Sequence, residues 1–220
     1  MKLFIDSGSV KDIEALVPLG IIDGITTNPS LLAKESGDYR AILKKICQLV
    51  KGPTSAEVTA TDAEGMVRQG RDLAGIDDYI VVKTPFTRDG VKACKMLRSE
   101  GIKVNMTLVF SPAQALLTAK VGANYVSPFV GRLDDIATPG MQLVSEIVEI
   151  YEHYDFTTEI LVASTRSPMH IIEAARMGAD ICTCPPAVID SLFKHPLTDI
   201  GLEKFLKDWE KAQAVAGARS

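Results

Sequence analysis

The sequence predicts an α/β fold, a closed (β/α)8 or TIM barrel with an extra C-terminal helix. Three observations predict it. Short apolar runs alternate with longer amphipathic stretches along the chain, which implies a parallel sheet. There are eight such runs, and 220 residues divided among eight units gives 27.5 per unit, near the short end of the roughly 200 to 400 residues that such barrels use. A faint internal repeat also recurs, with Pro112 and Pro168 56 residues apart, two units of about 28.

The strand-like runs are KLFID (2–6), IIDGIT (21–26), TSAEVTA (54–60), YIVVK (79–83), IKVNMTL (102–108), NYVSPF (124–129), EILVAS (159–164) and DICTC (180–184). After the third run comes the helix-like AEGMVRQGRDLAG, and after the fourth DGVKACKMLRSEG. The latter has Val91, Cys94, Met96 and Leu97 at roughly helical spacing and stops at Gly101. The repeat runs from Ser111-Pro112 to Gly122-Ala123-Asn124, and again from Ser167-Pro168 to Gly178-Ala179-Asp180. Proline suits a first helical turn and glycine a helix end. Neither GxGxxG nor GxxxxGK[ST] follows a strand, so an open nucleotide-binding sheet loses support. We expect one barrel domain over 1–220, with a final helix at about 199–216. That helix's stripe of Phe205, Leu206 and Trp209 packs either on its own barrel or on a neighbouring subunit.

Composition excludes several classes. The chain is 46% hydrophobic and 24% charged, with a net charge of -4. Disorder is excluded by the apolar content. The mild negative charge gives no reason to bind nucleic acid or an anionic membrane. MKLFIDSG is too short for a signal-peptide core, and the longest uncharged stretch, Val104 to Ala119, is too short and polar for a bilayer. We expect a cytoplasmic protein. Cys47, Cys94, Cys182 and Cys184 form no CxxC pair, so reduced structural thiols are expected and no metal site.

Most strands end in a residue able to do chemistry: Asp6, then Thr26, Thr27 and Asn28, then Glu57, then Lys83, then Asn105 and Thr107. Ser127 and Arg132 follow the sixth, Ser164 and Arg166 the seventh. A closed barrel brings these to its C-terminal rim, where barrel enzymes keep their sites. Burying so many polar groups costs free energy unless they pair. Lys83 follows the apolar run Tyr79–Val82. It is either a structural ion pair with Asp6 or Glu57, or an amine nucleophile that forms a Schiff base. Asp6 and Glu57 are then the acid/base pair. Arg132 and Arg166, with Ser164 and the helix start at Ser167-Pro168, suit a phosphate in the late loops, or are surface ion pairs.

Across nearly the whole chain, FIDSG (4–8), GITTNPSLL (24–32), AEVTATDAEGM (56–66), VVKTP (81–85), NMTLVFSPAQALL (105–117), YVSPFVGRLDD (125–135) and LVASTRSP (161–168) resemble the small single-domain transaldolases, relatives of fructose-6-phosphate aldolase. The resemblance implies a class I aldolase barrel that moves a dihydroxyacetone unit between sugar phosphates in the pentose phosphate pathway, without a cofactor. It implies that Lys83 is the Schiff-base lysine and that Asp6 handles the C4 hydroxyl proton. It further implies that Glu57 and Thr107 position a water, that Asn28 and Asn105, beside Thr27, hold donor hydroxyls, that Ser127 binds donor, and that Arg132, Ser164 and Arg166 bind phosphate. Glu57 and Phe129 match the transaldolases; the hydrolytic aldolases resemble Gln and Tyr there. Thr84 departs from a more usual aliphatic residue, and DSG from DTA or DTS. Relatives form pentamers and decamers through the C-terminal helix. Two alternatives stay open: a fructose-6-phosphate aldolase, and a non-catalytic barrel that binds sugar phosphates.

Overall fold

A computed structural model describes residues 1–217. The strands are β1 Lys2–Asp6, β2 Gly24–Thr26, β3 Thr54–Glu57, β4 Ile80–Pro85, β5 Val104–Val109, β6 Tyr125–Pro128, β7 Glu159–Val162 and β8 Ile181–Cys184. They close into a barrel in sequence order, all parallel. The seam joins β1 to β8, with Lys2 opposite Ile181 and Ile5 opposite Cys184. The helices are α1 Val10–Leu16, α2 Pro29–Leu32, α3 Tyr39–Val50, α4 Ala63–Ala74, α5 Arg88–Ser99, α6 Pro112–Val121, α7 Val130–Asp134, α8 Gly140–His153, α9 Pro168–Met177, α10 Pro186–Ser191 and α11 Pro196–Gly217. The expected fold and its extra helix are therefore present.

Strand alternation sorts side chains into two layers. Phe4, Val81, Tyr125, Leu161 and Ile181 point inward and plug the lower barrel. Val82, Val104, Met106 and Leu97 pack between strands and helices on the other face. Above the plug the inward positions turn polar: Thr26, Lys83, Asn105, Thr107, Ser127 and Thr183 are all buried. A hydrophobic floor below and helices around leave one open end.

Most strands are shorter than expected, and β2 and β3 lose the most, three residues each. β2 begins at Gly24, because the Asp23 carboxylate leaves the strand line to accept the Leu3 N–H at 2.8 Å. Gly24 itself has no room for a side chain, since a Cβ would lie 2.5 Å from the Phe4 ring. β3 stops at Glu57 because the next free amides, Thr59 and Ala60, donate to Gln69 Oε1 on α4 at 2.8 and 2.9 Å. On α5, Cys94 and Leu97 are buried as expected but Met96 is exposed, and Ala93 takes the inner face. Met96 lies two residues from Cys94, about 200° around the helix.

The 56-residue repeat is structural. Ser111 and Ser167 are N-caps followed by proline. Gly122 and Gly178 close their helices at φ 82° and 85°. Asn124 accepts the Val104 N–H at 2.9 Å, and Asp180 the Ile160 N–H at 2.7 Å. Leu108 and Ser164 share a left-handed conformation, φ 58° and 59°. The final helix starts at Pro196, earlier than expected, and Phe205, Leu206 and Trp209 lie 71%, 55% and 63% exposed. The stripe does not pack on its own barrel.

Candidate active site

The open end collects the polar strand ends. Glu57 on β3 and Asn105 on β5 are the register neighbours of Lys83 on β4. Lys83 is buried, and its Nζ lies 3.0 Å from Glu57 Oε2 and donates to the Thr27 carbonyl at 2.9 Å. The ion pair expected as one alternative therefore exists, with Glu57 and not Asp6. Thr27 contributes its carbonyl, while its hydroxyl donates to the Ser55 carbonyl at 2.8 Å.

Asp6 stands on the far side of the same space. Thr26 Oγ1 donates to Asp6 Oδ1 at 2.7 Å, and Thr183 Oγ1 lies 2.7 Å from Thr26 Oγ1. Because the single Thr26 proton goes to Asp6, Thr183 donates to Thr26. Burial pushes the Asp6 carboxyl above its ordinary value of 3.8; the Thr26 bond and the Lys83 charge pull the other way. Beneath, Ser127 Oγ donates to Asn105 Oδ1 at 2.8 Å, and Asn105 Nδ2 donates to Ser55 Oγ at 3.2 Å. The two hydroxyls brace the Asn105 amide from either side. Thr107 Oγ1 is buried with no partner among the described residues.

These groups enclose a cavity of about 120 Å³ whose walls include Asp6, Asn28, Lys83, Thr107, Ser127, Phe129, Arg132 and Ser164. Asn28 caps α2 by accepting the Leu31 N–H at 2.9 Å. Phe129 forms one wall, edge-on to Phe110, with the Arg132 guanidinium 5.1 Å above its ring. Arg166 is not in this lining. Its guanidinium forks onto Asp135, with Nη2 2.6 Å from Oδ2, and holds that carboxyl below the ordinary range. Gly131 lets the Arg166 turn approach, since a Cβ there would lie 2.3 Å from the Ser164 carbonyl. A larger cavity, about 550 Å³, lies outside the barrel between α2, α3 and α4 and touches Glu57. Its other charged walls, Glu35, Asp38 and Asp72, repel an anionic ligand.

Sequence reasoning missed Ser55 and Thr183. Both were findable by alternation: Ser55 is two residues before Glu57, and Thr183 two after the inward Ile181. The four cysteines are free and buried. Burial pushes Cys47 up to about 11 and Cys94 to about 12, so neither is a ready thiolate. No helix among the described residues is long and apolar enough to cross a membrane.

Fold and rim together define a (β/α)8-barrel protein with its polar site at the carboxyl ends of the strands. The chain belongs to the transaldolase/fructose-6-phosphate aldolase family, whose sequence model matches residues 3–216. It is 58% identical over 211 residues to a probable transaldolase of Anaeromyxobacter sp. (strain K), covering 96% of this chain and 97% of that protein. It is 57% identical over 211 residues to one of Aquifex aeolicus (strain VF5), with the same coverage. A probable transaldolase of Methanococcus maripaludis (strain C7 / ATCC BAA-1331) is 55% identical over 210 residues, 96% of this chain and 98% of that protein. Family and relatives make this chain a transaldolase-type aldolase enzyme. Among solved structures it is similar to a thiamine phosphate pyrophosphorylase from Pyrococcus furiosus, with TM-score 0.61 and 17% identity, covering 85% of this chain and 86% of that one. That likeness is of fold alone.

Proposed function

We propose that the protein is a transaldolase that carries a dihydroxyacetone unit on Lys83 as a Schiff base. One observation carries this reading: a buried lysine amine stands between Glu57, at 3.0 Å, and a cavity whose opposite wall is Asp6. A catalytically silent binding barrel has no use for that arrangement.

The neutral Lys83 amine attacks C2 of fructose 6-phosphate or sedoheptulose 7-phosphate. Its proton has an acceptor in Glu57. Glu57, through a water positioned with Thr107, then returns a proton to the carbinolamine oxygen, which leaves as water. Asp6 takes the C4 hydroxyl proton as the C3–C4 bond breaks, and an aldose phosphate departs. The iminium receives the electron pair and becomes an enamine. The enamine attacks erythrose 4-phosphate or glyceraldehyde 3-phosphate, and the steps reverse. Asp6 suits the base role because a carboxyl pushed up by burial is a stronger base. Thr27, Asn28, Asn105 and Ser127 hold and brace the donor hydroxyls, with Thr27 acting through its carbonyl on Lys83. Arg132, Ser164 and the Arg166 turn hold the phosphate, for which Arg166 leaves Asp135. Phe129 has no hydroxyl to protonate the enamine, so the three-carbon unit waits for an aldehyde.

The same reading puts the reaction in the cytoplasm, in the pentose phosphate pathway, with 1–220 acting as one barrel domain. The bare face of Phe205, Leu206 and Trp209 on α11 supports assembly into a homo-oligomer, a pentamer or decamer. The test is release of glyceraldehyde 3-phosphate from fructose 6-phosphate, with and without erythrose 4-phosphate. Sustained release only with the acceptor supports a transaldolase. Equal release without it makes the protein an aldolase and overturns the reading of Phe129.

A further inference from the structure

We propose that His170 is a positioning residue for the phosphate-holding turn: its neutral ring ties the Arg166 backbone to Asp134, and its protonation releases the turn. This rests on the reading that the Arg166 turn binds the substrate phosphate.

The ring sits at the start of α9 with its side chain 17% exposed. Its Nδ1 lies 3.2 Å from the Arg166 backbone nitrogen. A backbone N–H only donates, so Nδ1 must be bare and the ring proton resides on Nε2. Nε2 lies 3.1 Å from Asp134 Oδ2, while Asp134 Oδ1 accepts the Gly140 N–H at 2.9 Å. One imidazole thus links the β7–α9 turn to α7 and the start of α8. The turn needs holding. Ser164 carries a left-handed φ of 59°, a costly conformation for serine, and its carbonyl accepts the Gly131 N–H at 3.1 Å.

The internal repeat supplies a control within the molecule. Fifty-six residues earlier the same turn occurs at Leu108, φ 58°, and the counterpart of the Arg166 N–H is that of Phe110. There Gln114 Oε1, the counterpart of His170, accepts it at 2.7 Å. Both copies place a side-chain acceptor at this position. One copy uses a group that does not titrate. The copy bearing the guanidinium uses an imidazole nitrogen, which a proton converts from acceptor to donor. A protonated ring puts N–H against N–H, and the contact is lost. The groups that meet the ring are the Asp134 carboxylate, at the end of α7, and the backbone of Arg166, whose guanidinium is paired with Asp135; Glu173 follows three residues along α9.

The test is the pH dependence of KM and kcat for fructose 6-phosphate between pH 5.5 and 8, with wild type, His170→Gln, His170→Ala and Arg166→Ala. The wild-type KM should rise severalfold on acidification, with kcat much less affected. His170→Gln, which reproduces the Gln114 arrangement, should flatten that rise. His170→Ala should raise KM severalfold at every pH, with glutamine restoring it at pH 8. The substrate's own phosphate titration is common to all four proteins, so the difference between profiles isolates the ring. A glutamine variant that keeps the wild-type rise, or a wild-type KM that falls in acid, overturns the proposal. If Arg166→Ala leaves KM unchanged, the phosphate reading itself fails. If Arg166→Ala raises KM but His170→Gln tracks wild type, only the role of His170 fails. Should His170→Ala not fold, the glutamine comparison decides alone.

Discussion

Replacing Thr107 by valine separates stability from function in this barrel. Thr107 and Thr84 carry the two buried side-chain oxygens without a partner among the described residues. They lie on opposite faces of the wall: Thr107 lines the cavity, whereas Thr84 follows the inward Lys83 and points toward the helices. An unpaired buried hydroxyl costs about 1–3 kcal/mol, and valine has the same branched shape. Thr84→Val should therefore stabilise the protein by about 1 kcal/mol, using the low end of that range, and leave the kinetics alone. Thr107→Val should stabilise by less, because a water reaching the cavity satisfies part of the hydroxyl's demand. Its kcat should nevertheless fall by about 10- to 100-fold, or about 1.4 to 2.7 kcal/mol of transition-state stabilisation. That is part of the about 10² to 10⁴ that general acid–base catalysis supplies. Urea unfolding at fixed protein concentration reads the first quantity, and a coupled transaldolase assay the second. A Thr107→Val protein that is destabilised yet fully active would refute the reasoning. So would a Thr84→Val protein as inactive as Thr107→Val.

Further expectations concern charge, the phosphate turn and assembly. Asp6→Asn keeps an acceptor for Thr26 but removes a buried charge. Because the folded state raises the Asp6 pKa, ionisation penalises the fold above that value. Wild-type stability from Asp6 therefore rises as pH falls through the raised value toward 3.8. The asparagine variant should be more stable at pH 7 with an advantage that shrinks in acid, while turnover is lost; pH-dependent denaturation checks this. Gly131→Ala puts a Cβ 2.3 Å from the Ser164 carbonyl and 2.7 Å from Arg166 Nε. It should cost about 1–3 kcal/mol and raise KM for phosphorylated sugars, read from denaturation and steady-state kinetics. Phe205→Glu with Trp209→Glu alters a face that is bare in the single chain, so each should change protomer stability by no more than about 0.5 kcal/mol. Sedimentation should show the assembly reduced to smaller species.

Much of this was legible because barrel architecture turns linear spacing into spatial convergence. Eight apolar runs of strand length fixed the order β1 to β8, and phase alone put Asp6, Glu57, Lys83 and Asn105 on one rim. The repeat around Pro112 and Pro168 was visible as punctuation, yet its purpose was not. Its left-handed residues at 108 and 164 and the amide caps from Asn124 and Asp180 depend on backbone geometry that no residue type announces. Partner choice was the other blind spot. Lys83 had two candidate carboxylates, and register decided for Glu57 by placing it directly beside the lysine. Arg166 read as a phosphate ligand or a surface ion pair from its place after a late strand; the fold turns it onto Asp135, thirty-one residues away, a partner that spacing does not name. The ends of β2 and β3 were overrun because Ile21, Ile22 and Val58 read as strand, while side chains of Asp23 and Gln69 claim the neighbouring amides.

The central claim is a covalent bond between Lys83 and the sugar, and borohydride reduction tests it most directly. Fructose 6-phosphate is added to the intact protein, the mixture is reduced, and the labelled peptide is mapped by mass spectrometry. The account predicts one stable adduct, on Lys83, absent from Lys83→Met, and discharged when erythrose 4-phosphate is added before the reductant. No adduct, or an adduct on another lysine, would contradict it.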